Sequence, residues 1–290
     1  MPSTPFRATG RGDSVCAKPD PDLFVLPHTG AGALHQPPPH ERIPGSETVN
    51  PIVIIPARMA ATRLPGKPLA DIAGRPMIVH VLDRAREAGI GPVAVAAGEA
   101  EIVAAVEQAG GRAVLVADDL PSGTDRVQRS LAQLDPFGTH DVVVNLQGDV
   151  PTLDPELLRA VLKPLADPQV DIGTLVCPIA DDVEAMTSSF VKAACAFEGE
   201  AEVAPALYFS RNPIPWGEGP RWHHIGVYAF RRRALERFVT LRESPLERRE
   251  KLEQLRALEA GMRIAVTRVV HGPFGVDTPA DLERARQLLG

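Results

Sequence analysis

From Ile52 onward the chain alternates short unbroken apolar runs with stretches in which apolar side chains recur every three or four positions. "IVII" (Ile52–Ile55) reads as a buried strand, and "MIVHVLDRAREAG" sets Ile78, Val81, Leu82 and Ala85 on one helical stripe that ends at Gly89. "VAVAA" (Val93–Ala97) predicts the next strand, "EIVAAVEQAGG" a helix and "AVLVA" a third strand. A helix-length segment from Thr124 then leads into the strand of "DVVVNLQGD". Strands and helices in this alternation predict parallel crossovers and a sheet covered on both faces, with ligands gathering at the carboxyl ends of the strands.

The second half is less regular. Strand-like runs occur at "DIGTLVCPI", "FVKAACAF", "ALYFS" and "HIGVYAF", and Leu246–Ala260 and Pro279–Leu289 read as helices. Pro213 and Pro215 interrupt the chain after "YFSR". This half predicts an insertion that adds antiparallel strands and a lid to the parallel core. Residues 1–49 show neither period and are rich in Pro and polar residues, which predicts a disordered extension. The Arg-Gly-Asp tripeptide at Arg11–Asp13 carries no adhesion argument in such a tail.

Composition adds limits. With 290 residues, 44% hydrophobic, 23% charged and a net charge of -6, the chain has ordinary globular proportions and no long-range field for nucleic acid or an anionic membrane. Any anion must be bound locally. Cys16, Cys177 and Cys195 fit neither a disulfide framework nor a metal knuckle, which suits a reducing cytoplasm. No apolar run approaches the roughly 20 residues a spanning helix needs, and the start lacks the pattern of a secretory signal, so no membrane insertion is expected.

Against that acidic balance, "VIIPARMAATRLPGKP" places Arg58, Arg63 and Lys67 on one loop after the first strand, with a Pro-Gly turn between the last two. Fixed cations and the N–H groups of a turn suit phosphate. The Walker pattern fails, because Ala61 and Pro68 stand where Gly and Ser or Thr are required, and no dinucleotide glycine fingerprint follows the strand. "NLQGDVP" puts Asp149 at the end of another apolar strand, where a hard oxygen ligand beside phosphates suits Mg²⁺. Such an Asp is equally at home as a helix cap or turn former, and Asp277 in "GVDTP" is also a good helix-start signal.

"IIPARMAATRLPGKPLADIAGRPMIVHV", "PSGTDR", "NLQGDVP", "ALYFSRNPIPW", "HIGVYAF", "SPLERREKLEQLRALEAG" and "GVDTPADLERAR" together resemble the 3-deoxy-manno-octulosonate (KDO) cytidylyltransferases, in order and over nearly all of Ile52–Leu289. The first motif marks the wider sugar nucleotidyltransferases; "YFSR", "HIGVY" and "LEQLR" point to the KDO branch. The resemblance implies an α/β, Rossmann-like nucleotidyltransferase fold, with a mostly parallel central sheet flanked by helices and an antiparallel sugar-binding and dimerisation subdomain. Residues 50–290 would form the cytidylyltransferase domain: a CTP-binding core at 50–170, the insertion at 171–275 and a C-terminal helix at 276–290.

The implied reaction transfers CMP from CTP to the anomeric hydroxyl of KDO, with Mg²⁺ as cofactor and a homodimer as the assembly. By motif, Arg58, Arg63 and Lys67 would contact the CTP phosphates. Ser122, Gly123, Arg126 and Gln147 would face the nucleotide, and Asp149 and Asp277 would hold magnesium. Tyr208, Ser210, Arg211, His224 and Glu250 would line the sugar site. Trp216 and Trp222 would either cover the sugar or pack a loop.

The chain departs from the family pattern at Ala61, at "AAGEAEI" (Ala96–Ile102), at Val150, where Glu is usual, at Lys251, and in the residues before Lys192. Two other readings stand beside the first: a cytidylyltransferase for 8-amino-KDO or another acidic sugar, and a non-catalytic nucleotide-sensing protein.

Overall fold

The computed structural model describes residues 49–60, 63–116 and 119–290. The expectations for the N-terminal extension and for Ala61 lie outside them. The first strand, β1 (Pro51–Ala57), shows why the chain folds as it does. Val53, Ile55 and Ala57 point into one apolar cluster and Ile52 and Ile54 into another, so the strand is buried on both faces. After β1 come a short hairpin, β2 (Asp71–Ile72) with β3 (Arg75–Pro76), and helix α1 (Met77–Glu87). Ile78, Val81, Leu82 and Ala85 of α1 are buried, and Gly89 with φ 65° closes the helix in the left-handed conformation.

The alternation continues through β4 (Val93–Ala97), α2 (Ala100–Gln108), β5 (Ala113–Leu115), α3 (Gly123–Leu134), β6 (Val142–Asn145) and α4 (Pro155–Ala160). β1 pairs in parallel with both β4 and β6, and β4 with β5. The second half contributes β7 (Ile172–Pro178), α5 (Asp182–Met186), β8 (Lys192–Cys195), β9 (Val203–Ser210), β10 (Trp222–Arg231), α6 (Arg232–Thr240), α7 (Pro245–Glu250), α8 (Gln254–Glu259), β11 (Ile264–Arg268) and α9 (Pro279–Leu289). Its strands extend the same sheet, in the order β5-β4-β1-β6-β10-β7-β11-β9-β8. β10 runs antiparallel to β6 and β7, β11 is parallel to β7, and β9 is antiparallel to β11 and β8. The fold is thus α/β with a mixed sheet.

One predicted element is corrected. The single helix expected over Leu246–Ala260 is two, α7 and α8, separated at Lys251, whose φ is 57°. At the break the Arg211 guanidinium takes the carbonyls of Glu250 (2.9 Å) and Lys251 (3.3 Å), which a continuous helix would bond to residues 254 and 255. α4, α5, α6 and β11 have no counterpart among the predicted elements.

A buried histidine gives the fold a pH signature. His224 on β10 is 7% exposed; the Thr174 hydroxyl donates to Val227 O at 2.8 Å, leaving its oxygen to accept from His224 Nε2 at 3.0 Å. Burial, with His223 adding to it, pushes the imidazole down to about 3. The unfolded chain then binds the proton more readily, so this contribution is complete above pH ~6.5 and is lost as pH falls toward 3, at up to about 1.4 kcal/mol per pH unit. Urea unfolding from pH 7 to 4 should show this loss in the wild type and a shallower one in His224→Gln.

Candidate active site

The carboxyl ends of β1 and β6 open onto a cavity of about 380 Å³. Arg58, Arg63 and Lys67 from the first loop, Ser122, Gly123 and Arg126 from the start of α3, and Gln147, Asp149 and Asp277 all line it. The loop is shaped by Gly66, which adopts φ 72° and donates its N–H to Met59 O at 3.1 Å. Pro68 is buried in the 3₁₀ turn that Lys67 opens, which fixes the root of the lysine.

The two carboxylates reach the cavity because neither is used as a helix cap. α4 is capped by Asp154, and α9 by Thr278 in a reciprocal capping box with Asp281. Val276 N–H donates to Asp149 O at 2.8 Å, which draws the segment before α9 against the strand-end loop. Lys67 Nζ then donates to Asp149 Oδ2 (2.8 Å), Asp277 Oδ1 (3.2 Å) and Val276 O (3.0 Å), and Arg63 Nη2 lies 3.0 Å from Asp277 Oδ2. Burial alone would lower the pKa of Lys67, but Asp149 and then Asp277 outweigh it and raise it, so the amine stays charged.

A divalent ion fits this donor set. Both carboxylates converge on one positive group, and their hard oxygens are the ligands Mg²⁺ selects. Among the described residues no group of three or more His, Cys, Asp or Glu is placed to hold a metal. Asp149 and Asp277 are thus the two carboxylates that would hold such an ion, with water or phosphate oxygens completing its shell.

Around the nucleotide-side residues, Ser122 caps α3: its hydroxyl donates to Asp125 Oδ2 at 2.7 Å and accepts from Asp125 N at 3.2 Å. Arg126 is 6% exposed and donates to Val116 O. The "AAGEAEI" departure has a geometric reading. A side chain on Gly98 would place its Cβ 3.2 Å from Arg58 Cβ and 3.5 Å from Arg126 Nη1, so glycine leaves both arginines undisturbed. Glu99 follows; it starts α2 without capping it, and its Oε2 accepts from Met59 N at 2.9 Å instead. Met59 is thereby anchored through both its backbone groups, between Arg58 and the Gly66 turn.

Sequence reasoning missed this anchor, since the resemblance covers the segment only as a departure. Losing a charge-assisted bond of this kind should raise the KM for the nucleotide about tenfold in Glu99→Ala with a smaller change in kcat. Glu99→Gln, whose amide oxygen still accepts, should stay within about threefold of wild type; steady-state kinetics decides between them.

The five residues expected in the sugar site do not line this cavity. Tyr208 is half-buried on β9, and His224 is enclosed against Thr174 and the edge of Phe209. Ser210, Arg211 and Glu250 are brought together, but onto one another: Ser210 Oγ donates to Glu250 Oε1 (2.9 Å) and Arg211 N–H to Oε2 (3.0 Å). The Arg211 guanidinium is taken up by three backbone carbonyls, those of Glu250, Ser188 and Lys251. Lys192, wholly buried, caps the carbonyls of Thr187, Phe190 and Arg211 beside it. Trp222 packs on Phe197 with ring centroids 4.8 Å apart, whereas Trp216 is 99% exposed. Val150 is buried in the core, so that departure has a packing role.

A different polar group borders the cavity beyond Ser122 and Gly123. Thr124 Oγ1 donates to Glu253 Oε2 at 2.8 Å, and Asn145 Nδ2 to Thr124 Oγ1 at 3.3 Å. Burial holds the Glu253 carboxyl above its usual range, partly offset by the neighbouring Ser122 and Thr124 hydroxyls. Among the described residues, Glu253 Oε1 and Asn145 Oδ1 of this group are buried without a hydrogen-bond partner, as are Gln254 Nε2 at the start of α8 and Gln128 Oε1 on α3. Unpaired buried atoms of this kind are costly unless a ligand or water satisfies them. Glu253 and Gln254 lie in "LEQLR", one turn after Glu250, the acidic residue of this helix expected at the sugar site.

The cytidylyltransferase family model matches residues 52–264. The 3-deoxy-manno-octulosonate cytidylyltransferase of Parvibaculum lavamentivorans is 60% identical over 240 residues, spanning 83% of this chain and 93% of the relative. That of Rhodopseudomonas palustris is 61% identical over 238 residues, spanning 82% and 97%. A solved structure of CMP:2-keto-3-deoxy-manno-octonic acid synthetase complexed with CTP superimposes with a TM-score of 0.75 at 39% identity, covering 82% of this chain and 98% of that one.

Proposed function

Because the chain belongs to the cytidylyltransferase family, we propose that it transfers CMP from CTP to the anomeric hydroxyl of KDO and releases pyrophosphate. The observation that carries this reading is the meeting of Lys67, Arg63, Asp149 and Asp277 in one cavity. The sugar oxygen forms a bond to the α-phosphorus and loses its proton, and the bond from that phosphorus to the pyrophosphate oxygen breaks. No protein nucleophile is required. The protein aligns the reactants in line and neutralises the charge that develops on the leaving group.

Arg58, Arg63 and Lys67 hold the triphosphate, and Lys67 and Arg63 favour departure of pyrophosphate. Ser122, Gly123, Arg126 and Gln147 receive the nucleoside side. Asp149 and Asp277 would hold Mg²⁺, which when bound lowers the pKa of the attacking hydroxyl and offsets phosphate charge. On the sugar side, the unpaired atoms of Glu253, Gln254, Asn145 and Gln128 are suited to a polyhydroxylated substrate. Ser210, Arg211 and Glu250 act behind it, by fixing the α7–α8 break that sets the position of Glu253 and Gln254.

In this reading residues 50–170 form the nucleotide part of a Rossmann-like nucleotidyltransferase and residues 171–275 the sugar-binding and dimerising part, with the C-terminal segment 276–290 returning Asp277 to the nucleotide. The enzyme works in the cytoplasm as a homodimer; no helix among the described residues is long and apolar enough to cross a membrane. The test is a substrate panel with Mg²⁺: with KDO present, pyrophosphate should appear with CTP and not with ATP, GTP or UTP. Equal release from all four nucleotides would refute the assignment, and release with 8-amino-KDO but not KDO would move it to the amino sugar.

A further inference from the structure

The cations and carboxylates of the cavity neutralise one another. Lys67 Nζ touches Asp149 and Asp277 at 2.8 and 3.2 Å, and the second oxygen of Asp277 is 3.0 Å from Arg63. Two positive and two negative side chains are thus closed on themselves, and the lysine, 15% exposed, stands where the two carboxylates converge. A divalent ion arriving alone must displace an ammonium from both of its ligands. A polyphosphate arriving alone must pull the same ammonium away from two carboxylates. When both arrive, partners exchange: the cations go to phosphate, the carboxylates to the metal, and no charge is left unpaired.

We infer that Lys67 is a built-in counter-ion that occupies the metal's place between Asp149 and Asp277, so that nucleotide and divalent metal each bind weakly alone and strengthen one another. The inference rests on the reading of these two aspartates as metal carboxylates. Thermodynamic linkage requires the coupling to be reciprocal, with one factor describing the effect of metal on nucleotide and of nucleotide on metal. The absence of a third acidic ligand among the described residues fits a metal that needs the nucleotide to complete its shell.

The test uses Mn²⁺ as the probe and its electron paramagnetic resonance signal to separate free from bound ion, with the full chain and no nucleotide. Wild type should bind Mn²⁺ weakly, Lys67→Met should bind it about tenfold more tightly, and Lys67→Arg, which keeps the charge, should stay near wild type. Adding Asp149→Asn to Lys67→Met should abolish the tight site; if it does not, the assignment of the metal carboxylates is wrong. If Lys67→Met binds Mn²⁺ no more tightly than wild type while Asp149→Asn weakens binding, the carboxylate assignment stands and the counter-ion role falls. A second measurement needs no variant: CTP affinity of the wild type, in EDTA and then in Mn²⁺, should tighten about tenfold or more. An unchanged affinity overturns the inference.

Discussion

Asp149→Ala and Asp277→Ala should each lower kcat by at least about a thousandfold while leaving the fold intact. The side chains are 31% and 49% exposed, and their ion pairs with Lys67 and Arg63 are partly hydrated. Exposed pairs contribute no more than about 1 kcal/mol to stability, so thermal unfolding should move little. The backbone bond from Val276 to Asp149 O, which holds the two segments together, survives both substitutions. The chemical loss is much larger, because on the proposed reading each variant removes one of the two carboxylates that would hold a metal against the α-phosphate. Near-normal turnover in either variant, measured as pyrophosphate release, would remove that aspartate from the mechanism.

The second large effect is expected at Lys67. Lys67→Gln should lower kcat by about 10²–10³-fold, the range for removing one preorganised group that stabilises transition-state charge. Arg63→Gln should cost about tenfold less, because Arg63 is 66% exposed and its charge is screened by water, whereas Lys67 is 15% exposed and held by three acceptors. The ordering matters more than either number. Equal losses in the two variants would mean that the phosphates are held by surface charge alone.

These effects fall on residues that could be read from the sequence, and there is a physical reason. The cavity proposed to take the nucleotide is built at strand ends, where continuous apolar runs such as "IVII" and "DVVVN" announce a buried strand and the polar residues that follow line the cavity. Arg58, Lys67 and Asp149 could be found because their position follows from the strand before them. Asp277 was ambiguous with a helix cap until Thr278 and Asp281 were seen to fill that role.

The proposed sugar side was less legible. In "LERREKLEQLR" the acidic residues Glu247, Glu250 and Glu253 recur at every third position, and the sequence does not say which is buried with an unpaired oxygen. Glu247 pairs with Arg256, Glu250 with Ser210 and Arg211, and Glu253 with Thr124. That division accompanies the break at Lys251, whose freed carbonyls are taken by Arg211 from a distant point in the chain. β11 escaped notice because the unbroken apolar run in "IAVTR" is only three residues long, shorter than "IVII" or "VAVAA".

The central claim is that one cavity joins CTP to KDO. The direct measurement is product analysis by mass spectrometry after incubating the purified protein with CTP, Mg²⁺ and KDO, and with each component omitted in turn. The account predicts CMP-KDO and pyrophosphate in equal amounts, and only when all three are present. Folded protein that binds CTP but forms no CMP-KDO from the complete mixture would contradict it.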